Sequence, residues 1–135
     1  MARRAAVAGF GGRCDGSFNC LMPSHKQLAA WRLGRDSAIE IHRFADVNWR
    51  PQQAAALDQL RRASLSVPLN IAEGYACGVG ARCRYHLRIA YGSAVETKEL
   101  LEFLEALGAD VTPLLPRSLE VQKVTYALWK RSRSS

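Results

Sequence analysis

This chain is short of the residues that build catalytic and metal centres. Its three histidines, His25, His42 and His86, form no i, i+4 pair, and no glutamate stands at a metalloenzyme spacing from them. A phosphate-binding glycine loop is also missing: Gly74, Gly78 and Gly80 are spaced for a tight helix connection, and no lysine follows them in the P-loop manner. Ser/His/Asp and Cys/His sets can be assembled from distant positions in any chain of this length, so their presence has no weight. The sequence therefore assigns no catalytic residue, no metal site and no cofactor, and the expectation is a non-enzymatic protein.

Cysteine is sparse and awkwardly placed. The four cysteines form two Cys-x5-Cys pairs, Cys14/Cys20 and Cys77/Cys83, rather than the short knuckles of zinc sites. On a continuous helix a six-residue step turns two side chains about 240° apart, so Cys77 and Cys83 share a metal only if a loop separates them. They read as small apolar or reactive thiols in a reducing cytoplasm. Long apolar runs are absent too. Two arginines precede a short apolar run at Met1 to Phe10, but Gly9, Gly11, Gly12 and Arg13 break it before a signal core forms, and no later segment approaches a membrane span. The expectation is a soluble cytoplasmic protein with no membrane partner.

What remains is helical and basic. A chain of 135 residues is one domain by length. Lys and Arg total 19 against 12 for Asp and Glu, a net charge of +7 that favours polyanionic partners. Residues 1 to about 22 mix Gly, Arg, Ser and Asn without periodicity and read as a flexible leader. Order is expected from Pro23-Ser24, with a bundle domain over 23–131 and a flexible basic tail over 132–135.

Four helices account for the domain. Ser24 is suited to cap a first helix in which Leu28, Trp31, Ala38, Ile41 and Ala45 share a broad face, Trp31 being a core anchor. Asn48-Trp49-Arg50-Pro51 reads as a turn, and Pro51 as the first turn of a second helix running to Gly74. Within it Leu57, Leu60, Ser64, Val67 and Ile71 make a helical seam. Pro68 lies inside that seam, so a kink or brief break is expected near Ser64 to Val67, where Ser64 and Ser66 stand ready to bond freed carbonyls.

A third helix, from about Ala81 to Leu107, repeats Leu87, Ala90, Ala94, Thr97, Leu101 and Leu104 at three-four spacing. Gly92 in its middle costs about 1 kcal/mol relative to alanine, which close contact with another helix would offset. Gly108 ends this helix, and Pro113 and Pro116 open a last one reaching about Arg131. That helix carries two apolar stripes, Leu115/Leu119/Tyr126/Trp129 and Leu114/Val121/Val124/Leu128. Together they exceed the face a bundle helix buries, so the second stripe is expected at a subunit interface. Short loops between antiparallel helices give an all-α, up-down four-helix bundle whose second helix is kinked at its proline.

The segment Gln59-Leu60-Arg61-Arg62-Ala63 leads into Ser66-Val67-Pro68-Leu69-Asn70-Ile71-Ala72-Glu73-Gly74, and Ala90-Tyr91-Gly92-Ser93 follows with Glu96 nearby. With Trp31 on the first helix, these elements resemble the four-helix-bundle family that includes proteins encoded in intervening sequences of bacterial 23S ribosomal RNA genes. The resemblance covers roughly 28–110. It implies a bundle that assembles into a small homo-oligomeric ring, a pentamer, with a poorly defined function. It also implies kinship with bundles that assist the reverse transcriptases of diversity-generating retroelements by binding nucleic acid, which points to RNA or a nucleic-acid-processing protein as partner. Thr97-Lys98-Glu99 departs from the family pattern.

Within that motif Arg61, Arg62, Pro68, Asn70, Glu73 and Gly74 read as structural: an Asn amide and a Glu carboxylate one turn on can satisfy the groups a proline frees, or an arginine. Charge along the third helix opposes the helix dipole at both ends, with Arg82, Arg84 and Arg88 first and Glu96, Glu99, Glu102 and Glu105 last. Such glutamates call for cations on another helix or subunit, Arg61 and Arg62 being the nearest by motif. The candidate nucleic-acid contacts are Arg82, Arg84, Arg88, Lys130, Arg131 and Arg133, which a ring would multiply into a polyvalent basic surface. With Trp31, Tyr126 and Trp129 on core stripes, backbone or structured-RNA contact is expected over base readout. The alternative is an oligomeric protein-binding adaptor.

Overall fold

The computed structural model of the protein describes residues 24–134. The expected leader, with Cys14 and Cys20, lies outside the described residues. Four helices follow in order: α1 Ala29–Val47, α2 Ala54–Ala76, α3 Ala81–Ala106 and α4 Leu115–Arg133, with one-turn 3₁₀ segments at His25–Gln27 and Pro51–Gln53. Each helix packs on its neighbours in sequence, and α4 closes against α1. The fold is an all-α up-down four-helix bundle, with no strand among the described residues.

The ends of the helices are set locally. Ser24 accepts a bond from the Lys26 amide and so caps the 3₁₀ turn, while α1 itself begins after Leu28, whose backbone is extended. Gly108, at a φ of 97°, ends α3 in a Schellman arrangement: its amide bonds the Glu105 carbonyl at 2.9 Å and the Ala109 amide reaches back to Leu104 at 3.0 Å. Pro116 occupies the first turn of α4, where its missing amide costs nothing. α4 runs to Arg133, two residues past the expected end, so Ser132 and Arg133 are helical and the expected tail shrinks accordingly.

Pro68 does not break α2. Helix persists from Ala54 to Ala76 with the proline buried inside it, and the missing amide is confined to one turn. Ser64 Oγ bonds the Arg61 carbonyl at 3.1 Å, and Asn70 Nδ2 bonds both the Ser66 carbonyl and Ser66 Oγ at 2.9 Å. The two Asn70 bonds to Ser66 span Pro68 and hold that turn in register, while the Ser64 bond lies one turn before it. On the other side Gly34 of α1 supplies the room, because a Cβ there would stand 3.0 Å from Val67 Cγ1 and 3.6 Å from Pro68 Cδ.

The seams read from the sequence are buried, and they divide into two apolar clusters. One gathers Ala30, Val67, Ile71, Leu87, Ala90, Ala94, Val121 and Leu128 where α2 ends and α3 begins. The other gathers Ile41, Ala45, Leu57, Leu60, Leu101, Leu104, Val111 and Leu114 at the opposite end. Between them lies a polar waist with one hydroxyl from each helix: Ser37, Ser64, Thr97 and Ser118 line a cavity of about 10 Å³. Thr97 Oγ1 bonds the Ser93 carbonyl at 2.7 Å, whereas the buried Ser118 Oγ has no hydrogen-bond partner.

Candidate nucleic-acid interface

The up-down topology collects cations at one end, where Glu73 at the end of α2 is the neighbouring exposed carboxylate. The N-terminal half of α3 and the C-terminal half of α4 lie side by side beneath the cluster that contains Leu87 and Leu128. α3 has no carboxylate before Glu96, and α4 has none after Glu120. Those two segments carry seven cations: Arg82, Arg84, Arg88, Lys123, Lys130, Arg131 and Arg133. The carboxylates Glu96, Glu99, Glu102, Glu105 and Asp110 occupy the other half of α3 and the loop beyond it.

Arg61 pairs with Asp46 and Asp58, Arg35 with Asp36, Arg117 with Glu40, and Lys98 with Glu102. Arg82, Arg84, Arg88, Lys123, Lys130 and Arg133 form no ion pair among the described residues. Arg84 and Arg131 line one recess of about 250 Å³ with Tyr75, Cys83, Leu87 and Leu128. Arg82 shares the basic end, but two residues on a helix turn about 200°, so it faces away from Arg84. Lys130, Arg131 and Arg133 suit the C-terminal dipole of α4, whereas the arginines of α3 stand at a positive helix end and gain nothing from it.

A chain of polar bonds runs along the edge of the α2–α3 contact. Ser93 Oγ donates to Ser66 Oγ at 2.8 Å, and Asn70, having spent its amide on Ser66, turns Oδ1 to His86 Nδ1 at 3.0 Å. His86 therefore carries its proton on Nδ1. Glu73 lies on the surface with Oε2 3.7 Å from His86 Nδ1, so Asn70 rather than Glu73 braces the proline turn. Gly74 lets α3 approach: a Cβ there would lie 3.2 Å from His86 Cβ and 3.3 Å from the Cys83 carbonyl oxygen. The turn between the helices brings Cys77 within electrostatic reach of Cys83. Burial first, and Cys77 second, pushes the Cys83 thiol up, which keeps it in the weakly nucleophilic protonated form. No group of three or more His, Cys, Asp or Glu side chains among the described residues is arranged to hold a metal ion.

Several expectations from the sequence change. Leu114, Val121 and Leu128 are buried within the chain and Val124 packs on the same core, so the stripe expected at a subunit interface belongs to the monomer. The reason is that α4 faces both α3 and α1, which widens its buried arc. The other stripe is the one left partly in solvent, with Leu119 39% and Tyr126 42% exposed. Gly92 is exposed with nothing within 4 Å of an added Cβ, so it makes no close helix contact. Arg61 and Arg62 do not meet the glutamates of α3: Arg61 pairs with Asp46 and Asp58, Arg62 bonds Gln59 Oε1 at 3.0 Å, and Gln59 Nε2 bonds Glu96. The aromatic group missed from sequence is Tyr91 with Tyr126 and Trp129, whose centroids lie 5.2–6.1 Å apart. Its i, i+3 signal on α4 was visible, but pairing with Tyr91 needs the fold.

No helix among the described residues is long and apolar enough to cross a membrane. No curated protein matches the chain. The family model described as 23S rRNA-intervening sequence protein matches residues 26–112, from before α1 to the loop after α3 and short of α4. With more than half its length matched, and with the helical bundle that its motifs implied, the chain belongs to the 23S rRNA-intervening sequence protein family.

Proposed function

We propose that the protein binds RNA through its basic end, by phosphate contact and without catalysing a reaction on it, and that it does so as a homo-oligomeric ring. The observation that carries this is the stretch of α3 and α4 bearing seven cations and no carboxylate, six of those cations without an ion pair. Unpaired like charges repel one another and destabilise the folded chain, so a surface that gathers them gains most from a polyanion that releases counterions on binding. Oligomerisation repeats the patch and raises avidity on a long strand.

The test is charge reversal. Arg84→Glu/Arg88→Glu and Lys130→Glu/Arg133→Glu double variants should each weaken retention of a structured RNA at least tenfold, while circular dichroism and mass by light scattering stay unchanged. Unaltered retention in both variants refutes the basic end as the contact.

A second reading, a protein-binding adaptor, is favoured by Leu65 and Leu69. These leucines lie one turn apart on α2, 43% and 50% exposed, and Leu65 borders a recess of about 480 Å³ with Ile39 and His42. That face is on the α1–α2 side of the bundle, remote from α4, so partner binding there is compatible with RNA at the basic end. Leu65→Glu separates the two functions by leaving RNA retention intact.

A further inference from the structure

Three aromatic rings meet where α3 and α4 cross at the basic end. Tyr91 stacks on Trp129 at 5.8 Å with the planes only 12° apart, and touches Tyr126 at 5.2 Å. Tyr126 and Trp129 complete the triangle edge-on at 6.1 Å. Each ring is thus held by the other two, and Trp129 is anchored further by packing on the apolar core. The arrangement does not bury Tyr126, which remains 42% exposed.

Two cations stand over the faces of these rings. Lys130 Nζ lies 5.9 Å from the Tyr126 centroid, and the Arg133 guanidinium lies 5.2 Å from that of Trp129. A ring kept partly in solvent and accompanied by cations matches the two chemistries of a nucleic-acid strand. A base offers a π-face to the ring, and its phosphates offer charge to the cations. Duplexes hide their base faces, so such a ring selects unpaired segments.

The geometry points to a base-stacking platform: Tyr126, braced by Tyr91 and Trp129, takes the face of an unpaired nucleobase of an RNA strand as the flexible Lys130 side chain swings from over the ring to a flanking phosphate, with Arg133 meeting another. This deepens the RNA-binding reading and rests on it. It also revises the expectation of pure backbone contact, and its α4 residues lie beyond the span matched by the family model.

The experiment compares full-length wild type with Tyr126→Leu by fluorescence anisotropy, on a labelled single-stranded oligouridylate and on an RNA duplex of equal length. Leucine keeps the apolar contact and removes the π-face, and a partly exposed site tolerates it. Affinity for the single strand should fall about tenfold, within the range for losing one base–aromatic stack, while duplex affinity changes less than about twofold. Tryptophan emission should be quenched by the single strand in wild type and not in Trp129→Phe. Equal affinities for Tyr126→Leu and wild type on the single strand, or an equal loss on both RNAs, overturn the platform and leave RNA binding standing. If wild type retains neither RNA at low salt, both readings fall.

Discussion

Two glycines on facing stretches of the bundle separate packing from propensity. Gly74 and Gly92 both lie inside helices with ordinary helical backbone, so alanine at either gains about 1 kcal/mol of intrinsic helix preference. At Gly92 nothing stands within 4 Å of the new Cβ, so the gain is undiminished. At Gly74 the Cβ meets His86 Cβ at 3.2 Å and the Cys83 carbonyl at 3.3 Å, and neither can move without shifting α3. Overpacking of that kind costs about 1–3 kcal/mol, which outweighs the propensity gain. A change of 1 kcal/mol moves the melting temperature of a domain this size by about 4 °C. Thermal denaturation followed by circular dichroism should therefore raise Tm by about that amount for Gly92→Ala and lower it for Gly74→Ala. A lower Tm for Gly92→Ala would refute the reasoning and mean that another chain packs against that face.

Ser118→Ala should raise Tm, because its buried hydroxyl has no partner and desolvating such a group costs about 1–3 kcal/mol; a fall would instead place a bridging water in the waist. Burial, the leading cause for each, holds the Tyr75 phenol and the Cys83 thiol above their ordinary ranges. Groups raised in the folded state favour unfolding once pH climbs past their unfolded values, so stability should be level near neutrality and decline in alkaline solution, with a smaller decline in Tyr75→Phe. Light scattering should give a mass several times that of the chain; a monodisperse monomer at micromolar concentration contradicts self-assembly.

Helix placement was legible because three-four spacing and punctuation agreed. Leu57, Leu60, Val67 and Ile71 repeat as one face and are buried as one face, and Gly108 and Pro116 stand where the chain stops and restarts. What the sequence obscured depends on how many helices surround each residue. Periodicity allots α4 one buried stripe, but contact with both α1 and α3 buries Leu114, Val121 and Leu128 and leaves Tyr126 at the edge. Gly34 and Gly92 look alike in a helical repeat, yet one seats Pro68 and the other faces solvent. The cations of the site were visible one by one. Their convergence follows from antiparallel packing, which lays the start of α3 against the end of α4.

The most direct test of RNA binding at the basic end is the salt dependence of affinity. Each neutralised phosphate contributes a slope of about −0.7 to −0.9 in log K against log salt, so engagement of four of the cations gives a slope of about −2.8 to −3.6, and more contacts a steeper one. Wild type should show that slope on structured RNA, and Arg84→Glu/Arg88→Glu should flatten it by one unit or more. A shallow slope shared by wild type and variant, or no retention at the lowest salt, would contradict the account.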